Sequence, residues 1–135
     1  MSDQEYQVAE RTRPLIILAD DDLEIRTLVR MAIEDLDVDI IEAPDGAEAL
    51  EKILVEAPDL VVLDVMMPEL TGWEVCKYIK QREGYEDTQI LMLTAVGEAV
   101  NHMTAPLYGA DAYLDKPFDM DEIVQVIQIL LAKSM

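Results

Sequence analysis

From Pro14 onward the chain alternates short apolar runs with amphipathic stretches. The runs Leu15-Ile16-Ile17-Leu18-Ala19, Leu60-Val61-Val62-Leu63, Ile90-Leu91-Met92-Leu93 and Ala112-Tyr113-Leu114 are short and rich in branched residues, the pattern of parallel strands buried on both faces. With a further strand near 38–42, five strands are expected, near 15–19, 38–42, 59–63, 89–93 and 111–114. Ile25, Leu28, Val29, Ala32, Ile33 and Leu36 recur at helical spacing, as do Ile123, Val126, Ile127, Leu130 and Leu131. Helices are expected near 22–36, 45–56, 72–82, 98–108 and 119–133. Their starts are marked by an N-cap oxygen followed three residues later by Glu: Asp45 with Glu48, Thr71 with Glu74, and Asp119 with Glu122. Strands alternating with helices imply βαβ units, and right-handed crossovers place helices on both faces of one parallel sheet. The fold class is α/β, a doubly wound five-stranded parallel sheet.

The helix near 98–108 is the weakest element, because Pro106 in its interior would remove a backbone bond and crowd the carbonyl of His102. A helix capped by Thr104, with Pro106 in its first turn, avoids the clash. Residues 1–13 form a polar arm without periodicity, and residues 14–135 form one domain. A length of 135 residues suits a single domain, and a second, output domain is not expected within it. The balance of 29 acidic against 10 basic residues, a net charge of −19, repels nucleic acid and anionic membrane at long range. The single cysteine, Cys76, has no partner within the chain, and neither a signal peptide nor a membrane-length apolar stretch is present, so a cytoplasmic location is expected.

Residues able to do chemistry sit at the downstream ends of the apolar runs: Asp20 and Asp21, then Asp64, Thr94 and Lys116. Open α/β sheets bind ligands outside the carboxyl ends of their strands, so these residues are expected to converge. Three carboxylates would then face one ammonium. Like charges 4 Å apart cost about 4 kcal/mol per pair at an effective dielectric near 20, which favours a divalent cation or a proton in the pocket. Magnesium suits, because it takes a few carboxylate oxygens and keeps positions for water and a phosphoryl oxygen; manganese is the substitute. Asp64 is the candidate nucleophile, Lys116 a point charge for phosphate and Thr94 a hydroxyl donor. Singly, each residue has a plainer explanation: Asp21 with Glu24 fits a capping box, Thr94 a strand-end hydroxyl, Lys116 a solvated charge. Their joint placement outweighs these.

The segments Ile17-Leu18-Ala19-Asp20-Asp21-Asp22, Leu63-Asp64-Val65-Met66-Met67-Pro68 with Gly72, Leu93-Thr94-Ala95 and Tyr113-Leu114-Asp115-Lys116-Pro117-Phe118 together resemble the receiver domain of bacterial two-component response regulators, in the stand-alone form of the chemotaxis type. The resemblance covers roughly Pro14 to Lys133. It implies a flavodoxin-like strand order 2-1-3-4-5 and a cis peptide before Pro117. It implies that Asp64 accepts phosphate from a sensor histidine kinase, and that Asp20, Asp21, Asp64 and the main-chain carbonyl of Met66 hold magnesium. Thr94 and Tyr113 would switch on phosphorylation, altering partner binding at the face of the fourth helix, fifth strand and fifth helix. Met66 and Val96 occupy positions that tune phosphoryl lifetime in that family. Both are apolar here, and a slowly hydrolysing phosphorylated state is expected.

The leading function is thus a phospho-switched interaction module rather than an enzyme, phosphorylating itself from small donors and losing the group by hydrolysis. A phosphorelay shuttle, passing phosphate to a histidine phosphotransfer protein, is the variant. A magnesium-dependent aspartyl phosphatase would need an acid where Met66 stands, and a dinucleotide or flavin site would need a glycine-rich turn after Ala19. His102 and Met103 are read as surface residues, Trp73 and Cys76 as partly buried residues of the third helix.

Overall fold

Residues 12–94 and 109–134 are described by the structure, a computed structural model. The elements run β1 (Leu15–Ala19), α1 (Leu23–Ile33), a tight turn of 3-10 helix (Glu34–Leu36), β2 (Asp39–Ala43), α2 (Gly46–Glu56), β3 (Leu60–Asp64), α3 (Gly72–Lys80), β4 (Gln89–Thr94), β5 (Ala112–Asp115) and α4 (Met120–Ser134). The helix expected near 98–108, with Val96, His102, Met103, Thr104 and Pro106, lies outside the described residues, as do residues 1–11 of the arm. Arg13, the last residue of that predicted arm, pairs with Asp37 and Asp39 at the start of β2.

All neighbouring strands are parallel, in the order β2-β1-β3-β4-β5. Alternation along the strands divides the interior in two. Ile16, Leu18, Val62 and Leu93 join Val29 and Ile33 of α1 and Ile123 and Ile127 of α4 on one face. Ile17, Val61, Leu63 and Met92 join Ile53 of α2 and Val75 and Ile79 of α3 on the other. With both faces covered, β1, β3 and β4 are buried at every position, as their unbroken apolar runs require. Cys76 is wholly rather than partly buried in the second layer, and burial pushes its thiol up to about 12.

The register aligns the strand ends. Ala19 stands beside Ala43 and Leu63, Asp64 beside Leu93, and Thr94 beside Asp115. The loops leaving these strands therefore emerge at one edge of the sheet.

The helix starts correct one sequence expectation. Thr71 and Glu74 form the full reciprocal box, and the Asp45 side chain accepts from Glu48 N at 2.8 Å. At α1, however, Asp22 and not Asp21 caps, its Oδ1 accepting from Glu24 N at 2.9 Å. The next acid along takes the structural duty, which leaves the Asp21 carboxylate for other work. The helix also ends before residue 36: its last turn tightens and Asp37 turns left-handed at φ 62°.

Two glycines clamp the loop between β3 and α3. A Cβ on Gly72 would lie 2.3 Å from the Asp64 carbonyl oxygen, and one on Gly46 would lie 1.9 Å from that of Leu70. Neither neighbour is a movable side-chain tip. Gly72 N also donates to Val65 O at 2.8 Å, closing the loop that carries Met66. Gly72→Ala is expected to destabilise the domain by about 1–3 kcal/mol, the range for overpacking a filled site. A urea midpoint equal to wild type would refute this.

Candidate functional site

Asp20 leaves the end of β1 in a turn held from several sides. Asp22 N donates to Asp20 Oδ1 at 2.9 Å, Asp20 N donates to Ala43 O at 3.2 Å, and the Arg26 guanidinium donates to Asp20 O at 2.6 Å. Arg26 is itself fixed by Glu42 of β2 at 2.9 Å, and Glu42 also pairs with Arg30 at 2.7 Å. The Arg30 hydrogen bond does most to hold the Glu42 carboxyl below its usual range; burial opposes it and Arg26 adds to it. This ion-pair cluster ties α1 to β2 beneath the Asp20 turn. Sequence reading missed Arg26, which lies within a helix, and Glu42, whose strand near 38–42 is broken by Asp39 and so gave no continuous apolar run to flag it.

Oxygens of Asp20, Asp21 and Asp64 lie within 4.8 Å of one another. Asp20 and Asp64 are buried, at 3% and 7% exposure, whereas Asp21 faces solvent. Lys116 reaches in from beyond β5, its Nζ 3.0 Å from Asp20 Oδ2 and 3.2 Å from Asp64 Oδ1. The Lys116–Pro117 peptide is cis, as the resemblance implies. One ammonium thus serves two buried carboxylates with a third nearby. Burial first, then the charge of Asp20, raise the Asp64 carboxyl from 3.8 to about 6, despite the opposing pull of Lys116. Burial also works against the Lys116 ammonium, but its bonds to Asp20 and Asp64 outweigh this and raise its pKa.

An all-oxygen donor set, with excess negative charge and one carboxylate open to water, fits a hard divalent cation such as magnesium. Met66 lies in the loop after Asp64 and is 59% exposed. The remaining predicted residues are placed differently. Thr94 is at the expected strand end but wholly buried, and its hydroxyl donates to Asp115 Oδ1 at 2.8 Å. In the sequence, Asp115 stands out only as part of the motif around Lys116. Tyr113 pairs in register with Met92 on β4 and is 39% exposed.

The response regulator receiver domain family matches residues 16–128. The alkaline phosphatase synthesis transcriptional regulatory protein PhoP of Bacillus subtilis is 42% identical over 119 residues, which are 88% of this chain and 49% of that protein. The DNA-binding dual master transcriptional regulator RpaA of Synechocystis is 36% identical over 121 residues, 90% of this chain and 50% of that protein. The chain spans about half the length of the curated relatives it matches. Among solved structures, the chemotaxis response regulator CheY4 of Vibrio cholerae superposes with a TM-score of 0.81 at 31% identity, covering 88% of this chain and 99% of that one.

The Asp64 carboxyl has a consequence for stability. Its folded pKa of about 6 lies above the unfolded value, so folding takes up a proton between about pH 4 and 6 and stability is lost as pH rises through that window. Asp64→Asn is expected to stabilise the metal-free protein at pH 7 by up to about 3 kcal/mol, with the gain gone near pH 4. Urea unfolding of both proteins across this pH range checks it, and a pH-independent difference would refute the electrostatic origin.

Proposed function

The chain belongs to the response regulator receiver family, and we propose that it takes a phosphoryl group onto Asp64 from a sensor histidine kinase and thereby changes its binding to a partner protein. The observation that carries this is the Lys116 ammonium bridging Asp20 and Asp64 beside the Asp21 carboxylate. An Asp64 oxygen attacks phosphorus, forming an acyl phosphate as the bond from phosphorus to the donor histidine nitrogen breaks. Lys116 is placed to meet the oxygens of the incoming group as a point charge. Asp20, Asp21, Asp64 and the main-chain carbonyl of Met66 would hold magnesium, or manganese in its place. When bound, the cation supplies positive charge to the transferring phosphoryl oxygens.

Thr94 and Tyr113 form the proposed switch. Its proposed read-out is the face of the fourth helix, fifth strand and fifth helix, of which β5 and α4 are described. An exposed Tyr113 and a Thr94 hydroxyl turned to Asp115 support reading this structure as the unphosphorylated state. The curated relatives named above are called transcriptional regulators over about twice the matched length. For these 135 residues we propose contact with proteins, since a net charge of −19 disfavours nucleic acid phosphates. No helix among the described residues is long and apolar enough to cross a membrane. A cytoplasmic location is proposed along with the kinase partner.

Incubation with magnesium and acetyl phosphate, followed by intact mass, tests the acceptor. One added phosphoryl group on wild type and none on Asp64→Ala is the expected result; an adduct on both would move the acceptor elsewhere. The exposed thioether of Met66 offers water no strong hydrogen bond, which supports slow hydrolysis. Met66→Asn adds an amide able to orient water, and through one hydrogen bond of about 1.4 kcal/mol should speed dephosphorylation roughly tenfold. Equal decay rates would remove Met66 from the account.

A further inference from the structure

We propose that Asp115 is a positioning residue that holds the Thr94 hydroxyl away from Asp64 in the unphosphorylated domain, so that Asp115 and a phosphoryl group on Asp64 compete for one hydroxyl proton. The inference rests on the reading of Asp64 as phosphoacceptor. A threonine hydroxyl has a single proton, and a carboxylate has none to give. The 2.8 Å contact between Thr94 Oγ1 and Asp115 Oδ1 therefore has one direction, with Thr94 donating. While that bond stands, the Thr94 proton is committed to Asp115 and is not offered to an acceptor on Asp64.

The sheet places this contact with some economy. Thr94 and Asp115 are register partners on β4 and β5, which puts their side chains on the same face. Lys116 follows directly and reaches instead to Asp20 and Asp64. Two consecutive residues at the end of β5 thus serve opposite ends of the event: Lys116 attends the site that receives charge, and Asp115 retains the hydroxyl that would answer it. Burial differs between the partners as well. Thr94 is fully buried, whereas Asp115 faces solvent. At exposed Asp115 water can take the place of the Thr94 hydroxyl, whereas the buried Thr94 proton needs another acceptor, because an unsatisfied buried donor is unfavourable. The hydroxyl is thereby released to a new anion and to little else.

Beryllofluoride in magnesium buffer serves as the probe for an acyl-phosphate-like ligand, with binding followed by Trp73 fluorescence or by amide NMR shifts in the full chain. Asp115→Ala is expected to tighten apparent affinity roughly tenfold, the scale of one charge-assisted bond removed from the competing state. Asp115→Asn keeps an uncharged acceptor oxygen and should fall between the two; being nearly isosteric, it also stands in should the alanine variant fold poorly. In a Thr94→Ala background, removing Asp115 should leave affinity unchanged. An unchanged affinity for both Asp115 variants overturns the proposal. So does equal tightening with and without Thr94, which would show only the general field of a removed negative charge. Failure of the wild type to bind beryllofluoride would instead overturn the phosphoacceptor reading. The χ1 rotamer of Thr94, from NMR couplings in ligand-free protein, decides the contact independently: a single rotamer in wild type and averaging in Asp115→Ala is expected, and the same rotamer population in both overturns it.

Discussion

Two buried carboxylates sharing one ammonium set the terms for the rest of this domain. Lys116 stands within hydrogen-bond reach of both Asp20 and Asp64, with Asp21 adding a third acid from the solvent side. One cation cannot neutralise that set, and burial raises the cost of leaving it charged. The rise of the Asp64 carboxyl to about 6 expresses this imbalance as a preference for a proton. A divalent cation would relieve the same imbalance.

Such a site persists only because the frame around it leaves little freedom to relax. Separating the carboxylates would mean moving strand ends that are locked in parallel register. It would also pull the Asp20 turn from Arg26, which is anchored by Glu42, and disturb a loop clamped where Gly46 and Gly72 admit no Cβ. Each restraint is modest, and their combination keeps like charges together. Stability is distributed over the two apolar layers, so the edge can carry strain in the electrostatic sense without unfolding the sheet.

Strand alternation then sets Asp64 and the Thr94–Asp115 pair on opposite parities. Asp64 stands in register with Leu93, whose side chain belongs to the layer of α1 and α4. Thr94, Asp115 and Tyr113 fall on the opposite parity, in register with one another or with Met92 of the other layer. In the proposed switch, phosphorylation of Asp64 would reach that second set across the end of β4, with the Thr94 hydroxyl exchanged between them. A contact between buried and exposed partners suits this, since it is broken without stranding a charge in the interior.

Much of this was legible in the sequence for simple reasons. A parallel strand covered on both faces must be apolar throughout, so Leu60 to Leu63 and Ile90 to Leu93 declare themselves, and polar residues at their downstream ends mark the binding edge without any knowledge of pairing. Thr71 with Glu74 announced α3 because its cap is closed within four residues. Contacts between distant segments left no such mark. Arg26 bonding to the Asp20 carbonyl, the choice of Asp22 over Asp21 as cap, the burial of Cys76, and the turning of Thr94 toward Asp115 depend on which neighbour lies nearer once the sheet has formed. Apolar period and residue type by themselves determined the five strands, the helices α1 to α4 and which polar residues stand at the strand ends, because those follow from local burial and local capping. Only the tertiary structure decided which oxygen each donor meets and how much charge one lysine must serve, because both depend on distances between residues far apart in the chain.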